Sequence, residues 1–207
     1  MVQERAEAFW PPLRGEYRVG DPKSRVAVLT LASRMDSDLV GAAIVGSCKT
    51  ENLGVEKVVA NIISNPNIRF LIVCGSESRG HLPGDAILAL HRGGLDGDGR
   101  ISGARGAIPF IENLSHQAVA RFQRQVELID RIGLADPVEI NLLIEEYRDK
   151  GVAFQEAPFY AVDRPRPRQI PAFGAGDVLM GQGIWLDSAA WLISSQGENA
   201  DQTGEVI

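Results

Sequence analysis

The chain has 207 residues, enough for one domain with a substantial hydrophobic core and an additional segment. Its formal net charge of −6 argues against nucleic acid or an anionic membrane surface as the main partner. Cys48 and Cys74 lie far apart in apolar stretches, which predicts buried thiols and not a metal or redox pair. Met1–Glu7 is too polar for a signal peptide, and no stretch approaches the ~20 apolar residues that span a bilayer, so we expect a cytoplasmic protein.

The first half of the chain predicts a strand–helix–strand unit. Residues 1–24 form a polar lead-in, and Arg25–Leu31 is the first apolar strand. Asp38–Gly46 is ambiguous between a short helix and a strand. Asn52–Ser64 carries an apolar stripe at helical spacing, and Ile68–Cys74 is a near-continuous apolar run typical of a parallel strand buried on both faces. This order predicts an α/β fold with a mostly parallel sheet flanked by helices.

The second half of the chain predicts further helices and a less regular tail. Gly84–Arg92 is a short helix, and Ser115–Ile132 has the apolar spacing of one long amphipathic helix. Another helix begins at the capping signature Asp136-Pro137. Beyond it, residues 163–171 indicate an extended proline-rich linker. Val178–Ser194 is a strand pair or a short helix docked on the domain, or equally a segment that binds a partner. The last dozen residues are polar and acidic, which predicts disorder.

A polar loop follows the central strand and carries the residue of greatest chemical interest, His81. The loop leads to Pro83, which suits the first position of a helix. In open α/β sheets the carboxyl edge of the strands is where ligands bind, so the position of His81 favours a site. A lone histidine in a loop is more often a solvated side chain than a ligand. Without further evidence, the spacing around His81 favours the solvated side chain.

The spacing His81-x-x-Gly84 resembles the Asp-x-His-x-x-Gly pattern of corrinoid-binding modules of the methionine-synthase kind, whose imidazole is the lower axial ligand of cobalt. Arg79 stands where that pattern has its Asp, so the usual carboxylate relay is expected to be missing. The second ring nitrogen of His81 needs an acceptor to fix its tautomer, and Glu77 or Ser76 is the expected partner.

A glycine-containing segment, Gly103–Phe110, has two interpretations. It is either a bulged edge strand or a stretch whose small residues allow the backbone to approach a flat macrocycle closely.

Several longer stretches resemble the A-subunit family of the archaeal tetrahydromethanopterin S-methyltransferase. They are Gly20–Pro22, Thr50–Asn61, Ser64–Val73, Gly80-His81 and Gly103–Phe110, within a similarity that runs from about Trp10 to about Ile132. These motifs are long and occur in order, so the resemblance is specific. The family pattern ends in a membrane-anchoring helix, and this chain is therefore expected to be a soluble homologue without the anchor.

The resemblance implies a Rossmann-like domain over residues 25–158 that holds a cobamide, such as cobalamin, with His81 as the ligand of its cobalt. The extension over residues 159–207 is expected to be partly disordered. The cobamide would carry a methyl group from a methyltransferase partner to a methyl acceptor, and a homo-oligomer is a further option. The other residues expected to contact the cofactor are Thr50, Asn52, Ser76, Glu77, Gly80, Leu82, Gly84, Gly106, Ala107 and Pro109.

Two other functions remain open from the sequence. One is a non-catalytic scaffold or corrinoid sensor that has kept the fold. The other is a Rossmann-type nucleotide-binding oxidoreductase, which is disfavoured because the loop Ala32-Ser33-Arg34 after the first strand lacks the G-x-G-x-x-G fingerprint. No catalytic residue is assigned, because a carrier leaves the chemistry of methyl donation and acceptance to its partners.

Overall fold

A computed structural model describes residues 10–161 and three segments near the C-terminus, 178–180, 184–187 and 192–195. The chain divides into two compact units, Met1–Arg164 and Pro165–Ile207. The linker predicted at residues 163–171 and the disorder predicted for the last dozen residues lie outside the described residues.

The described part of the first unit contains five strands and four α-helices. The strands are β1 (Tyr17–Val19), β2 (Val26–Leu29), β3 (Ile44–Gly46), β4 (Phe70–Gly75) and β5 (Glu127–Ile132). The helices are α1 (Leu53–Ile63), α2 (Pro83–Gly93), α3 (His116–Gln125) and α4 (Pro137–Tyr147), with a short 3-10 helix at Asp36–Asp38.

The five strands form one sheet in the order β1-β3-β2-β4-β5. The strands β3, β2, β4 and β5 run parallel, and β1 at one edge is antiparallel to β3. In register, Val28 pairs with Ile72, which pairs in turn with Ile129. The predicted α/β class with a mostly parallel sheet is confirmed. Strand β1 lies within residues 1–24, so that stretch contributes to the sheet and is more than a lead-in.

Helices cover both faces of the sheet, because alternate residues of its central strands point in opposite directions. On one face Leu71 packs in a cluster with Val59 and Phe122, which come from α1 and α3. On the other face Ile72 packs with Ile140 of α4. All six residues of β4 are buried, which explains why its sequence shows no polar alternation.

The single long helix predicted over Ser115–Ile132 is wrong. Helix α3 ends at Gln125, and the next residues form strand β5, which pairs with all six residues of β4. The apolar residues Val126 and Ile129 continue the helical spacing of α3 by coincidence. The buried Gln125 amide donates to three carbonyl oxygens at and just after the end of α1, and Val126 is already extended. The tertiary contacts of Gln125 and the pairing with β4 therefore override the local pattern.

Other predictions have mixed outcomes. The helices expected at Asn52–Ser64, at Gly84–Arg92 and after Asp136 are present with small changes at their ends. The ambiguous stretch Asp38–Gly46 contains the last residue of the 3-10 helix and then β3. The edge-strand interpretation of Gly103–Phe110 is wrong, since the segment forms turns and an isolated bridge at its last residue. Both cysteines are buried, as expected.

The described residues of the second unit form a three-stranded antiparallel sheet. Its strands are β6 (Val178–Met180), β7 (Ile184–Asp187) and β8 (Leu192–Ser195), in that order. The strand interpretation of Val178–Ser194 is therefore confirmed over these residues, and a partner-binding role for this segment stays a prediction.

Candidate functional site

His81 lies in the loop between β4 and α2, at the carboxyl edge of the parallel strands. Its side chain is 52% exposed. The loop turns through two left-handed residues that flank the histidine, Gly80 with a φ of +79° and Leu82 with a φ of +48°. A left-handed leucine costs roughly 1–2 kcal/mol, which the surrounding contacts must offset. These two conformations fix the direction in which the backbone presents the ring.

The ring of His81 is held by a carboxylate that lies far away in the sequence. Nδ1 of His81 is 2.8 Å from Oε2 of Glu51, whose side chain is only 1% exposed. The other carboxylate oxygen, Oε1, accepts the backbone N–H of Ile108 at 2.7 Å. Two expectations are therefore corrected. The partner of the ring is Glu51 and not Glu77 or Ser76, and the carboxylate relay is present although its residue comes from another segment.

Glu51 is ionised in spite of its burial. Burial is the largest single influence and raises the pKa of its carboxyl group. Three hydrogen bonds act in the opposite direction, from the backbone of Ile108, from its own backbone and from His81. Their combined effect exceeds that of burial, so the pKa of Glu51 lies below its usual value. An ionised carboxylate only accepts, so in the neutral imidazole the proton is assigned to Nδ1 and the lone pair to Nε2. This tautomer places the lone pair that can accept a bond on Nε2 of His81.

The segment Gly103–Phe110 closes the site against the histidine loop. The N–H of Ala107 donates to the carbonyl oxygen of Gly80 at 3.1 Å. A Cβ atom built on Gly106 would lie 2.3 Å from the carbonyl oxygen of His81, so only glycine fits there without a backbone shift. The small residues of this segment let its backbone approach the histidine loop closely, and the expected approach to a flat macrocycle stays a prediction.

An ion pair attaches the same segment to helix α2. The buried carboxylate of Asp85 accepts the backbone N–H of Arg105 at 2.9 Å and its guanidinium at 2.9 Å and 2.7 Å. The hydrogen bond to Asp85 and its negative charge raise the pKa of the Arg105 guanidinium. Together with the bonds to Gly80 and Glu51, this pair gives the segment three attachment points around His81.

Two predicted site residues, Glu77 and Gly84, hold the start of helix α2. The carboxylate of Glu77 accepts the N–H groups of Gly84 at 3.0 Å and Asp85 at 2.7 Å, where the positive end of the helix favours an anion. A Cβ atom on Gly84 would lie 2.9 Å from Oε1 of Glu77. Both residues therefore shape the base of the histidine loop.

The crevice between β2 and β4, where the strand order reverses, is closed by the loops that follow those strands. The carbonyl oxygen of Ser76 accepts the N–H of Ala32 at 2.9 Å, and its N–H donates to Oγ of Ser33 at 2.9 Å. A Cβ atom on Gly75 would lie 2.2 Å from the carbonyl oxygen of Thr30. Nucleotide ligands of α/β sheets bind at such a reversal, so this closure further disfavours the oxidoreductase alternative.

Two more predicted residues cap helix α1 on either side of Glu51. The hydroxyl of Thr50 accepts the N–H of Gly54 at 3.0 Å, and the side chain of Asn52 accepts the N–H of Leu53 at 2.7 Å. These bonds fix the position from which Glu51 reaches the histidine.

The structure brings part of the predicted set together. Pro109 is buried and its carbonyl oxygen accepts the N–H of Ile101 at 2.8 Å, which ties it to the interior. The residues that surround the histidine ring and its loop are Gly80, Leu82, Gly106 and Ala107, whereas those that serve the scaffold are Thr50, Asn52, Ser76, Glu77, Gly84 and Pro109. The sequence did not identify Glu51, the residue that orients the ring.

The family model for the A-subunit of tetrahydromethanopterin S-methyltransferase matches residues 3–163. The chain belongs to this family. It is 55% identical over 188 residues to a Methanosarcina acetivorans protein provisionally named as the A-subunit of methyltransferase Mtx, a match that covers 89% of this chain and 93% of the relative. The family predicted from the sequence is therefore confirmed.

Two relatives from Methanothermobacter carry the full family name. The A-subunit numbered 1 of the tetrahydromethanopterin S-methyltransferase of Methanothermobacter marburgensis is 50% identical over 169 residues, which are 79% of this chain and 71% of the relative. The A-subunit numbered 2 of Methanothermobacter thermautotrophicus is 49% identical over 173 residues, which are 81% of this chain and 90% of the relative. Within the described residues of the present chain, no helix has both the length and the apolar character needed to cross a membrane.

Proposed function

We propose that this protein is a cobamide-binding methyl carrier with a Rossmann-like domain, in which His81 is the lower axial ligand of cobalt. The observation that supports the proposal most strongly is the Glu51–His81 pair, in which a buried carboxylate orients an exposed imidazole. The relatives are named as methyltransferase subunits, which supports methyl transfer and implies partner subunits that deliver and accept the methyl group.

The donor set at His81 suits a corrinoid. A corrin ring supplies four equatorial nitrogens to its cobalt, so the protein needs to contribute only one axial ligand. Among residues 10–161, no group of three or more His, Cys, Asp and Glu side chains could hold a bare metal ion. A single imidazole with an acceptor behind it is what a corrinoid requires. When bound, the cobamide would supply the cobalt atom that carries the methyl group.

The surface beside the pair suits the face of a flat macrocycle. Ile108, whose N–H bonds to Glu51, is 58% exposed, and Leu53 at the start of α1 is also exposed. Covering such apolar surface contributes about 25 cal/mol for each Å² removed from water. These side chains can therefore stabilise a bound ring while His81 fixes its orientation.

Electron paramagnetic resonance of the protein loaded with cobinamide in the cobalt(II) state tests the proposal. Cobinamide has no nitrogenous base of its own, so any nitrogen splitting must come from the protein. We expect splitting from one axial nitrogen in the wild type and in His116→Ala, a control at an exposed position of α3. We expect its loss in His81→Ala. Splitting that survives His81→Ala would show that another residue is the ligand, and failure to bind corrinoids would favour the scaffold.

A further inference from the structure

A groove of about 620 Å³ lies between helix α4 and strand β5, which forms one edge of the five-stranded sheet. Half of the residues that line the groove are apolar and half are charged. The two kinds of residue favour different features of an occupant, and together they describe the chemistry of a partner.

The apolar residues of the groove extend from the core to the surface. Leu134 and Leu143 are half-buried and pack against the core cluster that contains Ile72 and Ile140. Leu142 also lines the groove, and it is 67% exposed. Apolar surface of this kind is stabilised when another molecule covers it. Leu142 is therefore the side chain against which an occupant would pack.

The charged residues give the groove an excess of negative charge. The carboxylates of Asp130, Glu139 and Glu146 line it together with one guanidinium, that of Arg131. Within residues 10–161, the carboxylates of Glu139 and Glu146 have no hydrogen-bond or ion-pair partner. Carboxylates without an internal counter-ion attract cations, so charge complementarity favours an occupant that carries lysine or arginine.

The length of the groove suits a helix. Helix α4 forms one wall with 11 residues, which correspond to about 16 Å of helix. A second helix that lies alongside would present its residues at i, i+4 and i+7 on one face, where they can contact Leu142 and Leu143. Basic residues on either side of this apolar stripe would then reach Glu139 and Glu146.

The groove borders the loop that carries His81. Ile132 lines the groove, and its Cδ1 atom would lie 2.9 Å from a Cβ atom built on Gly84 at the start of α2. Leu134 lines it as well, and its carbonyl oxygen accepts the N–H of Gly75 at 2.7 Å, where β4 ends and the histidine loop begins. A molecule in the groove would therefore lie next to the histidine loop.

We propose that this groove docks a basic amphipathic helix of a partner methyltransferase subunit, with its apolar stripe on Leu142 and its cations beside Glu139 and Glu146. The inference rests on the proposed function, because a methyl carrier has to bring its donor or acceptor close to His81. A second copy of this chain fits less well. A symmetric contact would place the acidic groove of one copy against that of the other.

Fluorescence anisotropy with the full-length chain and a labelled synthetic peptide tests this inference. The peptide is an amphipathic helix of about four turns, with leucines at i, i+4 and i+7 spacing and lysines beside them. A second peptide has glutamate at every lysine position. We expect saturable binding of the lysine peptide and binding at least about tenfold weaker for the glutamate peptide, because the carboxylates of the groove repel it.

Matched variants of α4 locate the bound peptide. Glu146→Lys should weaken the lysine peptide about fivefold or more. Glu145→Lys makes the same charge change on the next residue, which does not line the groove and is paired with Arg148, and it should leave the affinity unchanged. Leu142→Gln should also weaken the peptide about fivefold. Val138→Gln is its control, since Val138 is 68% exposed on the same helix but does not line the groove.

Equal effects of the groove variants and their controls, or a lack of saturable binding, would overturn the inference. Sedimentation that shows self-association of the wild type and its loss in Leu142→Gln would also overturn it, since a second copy would then cover the groove. Cobinamide binding separates this inference from the proposed function, because Glu146→Lys does not alter a contact of His81 and should bind cobinamide as the wild type does. A wild type that binds the peptide but no corrinoid would refute the proposed function, and with it the assignment of the partner.

Discussion

Glu51 and Glu56 are two buried carboxylates, five residues apart, that both hold the long loop between α2 and α3. Glu51 accepts the N–H of Ile108, and Glu56 accepts the N–H groups of Glu112 at 2.6 Å and Asn113 at 2.9 Å. Glu56 also accepts the side-chain amide of Asn113 at 2.7 Å. The two residues therefore share their burial and their use of backbone donors.

They differ in what their second carboxylate oxygen does. Both oxygens of Glu56 bond to one short stretch of loop, so its contacts are entirely internal. Glu51 uses one oxygen for the loop and the other for His81, whose ring reaches solvent. Burial and hydrogen bonding alone do not distinguish a structural carboxylate from a functional one. The feature that leads us to propose a functional role for Glu51 is its connection to an exposed imidazole.

The largest expected effect on stability comes from Glu56, whose contacts are all internal. Glu56→Ala leaves three donors of the loop without their acceptor, and we expect it to lower the free energy of unfolding by about 3 kcal/mol. Chemical denaturation measures this loss. The folded variant should bind cobinamide as the wild type does, because Glu56 does not contact His81. Weaker cobinamide binding by Glu56→Ala without a loss of stability would mean that Glu56 is not purely structural.

Gly106→Ala tests the close contact between His81 and the loop that joins α2 to α3, which Glu51 holds through Ile108. Its Cβ atom would collide with the carbonyl oxygen of His81, and such overpacking should cost about 2 kcal/mol. Cobinamide affinity should fall as well, because the histidine loop has to move. Gly97→Ala is the control, since a Cβ atom there meets nothing within 4 Å. Equal thermal stability of the two variants would show that the loop adapts freely.

Glu51→Gln separates orientation of the ring from stability of the fold. The amide can still accept from Ile108, so we expect a loss of only about 1 kcal/mol in the free energy of unfolding. The amide can also donate to Nδ1, which would shift the proton of His81 to Nε2. If His81 is the ligand of cobalt as proposed, cobinamide affinity should then fall about 10- to 100-fold, the usual effect of removing the hydrogen-bond partner of a metal-binding histidine. Glu56→Gln is the matched control, and an axial nitrogen signal that is unchanged in Glu51→Gln would contradict the role of the carboxylate.

The smallest effect is the part of the pH dependence of stability that the carboxylate of Glu51 contributes. Its pKa in the folded protein lies below the ordinary value of 4.5, so its ionised form stabilises the fold. That contribution is complete above the unfolded pKa and is lost as pH falls through the folded one. The stability difference between wild type and Glu51→Gln should therefore be constant near neutral pH and shrink below about pH 4.5. A difference that fails to shrink as pH falls below about 4.5 would contradict this assignment.

The elements that the sequence predicted are those whose signals are local. The apolar run of β4 and the stripe of α1 each identify their own secondary structure, and together they place the His81 loop at the carboxyl edge of the sheet. Strand β5 could not be recognised, because what ends the preceding helix is the contact of Gln125 with a distant turn.

Glu51 was missed for the same physical reason. It lies 30 residues from His81, and no spacing rule connects the two. The available signal was indirect: Glu51 comes directly before the predicted N-cap Asn52, and the N-terminus of that helix lies at the same edge of the sheet as the His81 loop. Recognising that edge as a meeting point required knowing that Ile44–Gly46 is a parallel strand, which the sequence left ambiguous.

Strand β5 forms one edge of the five-stranded sheet, where unpaired backbone groups can recruit a strand from another molecule. Two of its groups already have partners from the strand itself. Oδ1 of Asp130 accepts the N–H of Ile132 at 3.1 Å, and the guanidinium of Arg131 donates to the carbonyl oxygen of Asp130 at 2.7 Å. The side chains of Asp130 and Arg131 thus satisfy two backbone groups that a strand from another molecule would otherwise pair with.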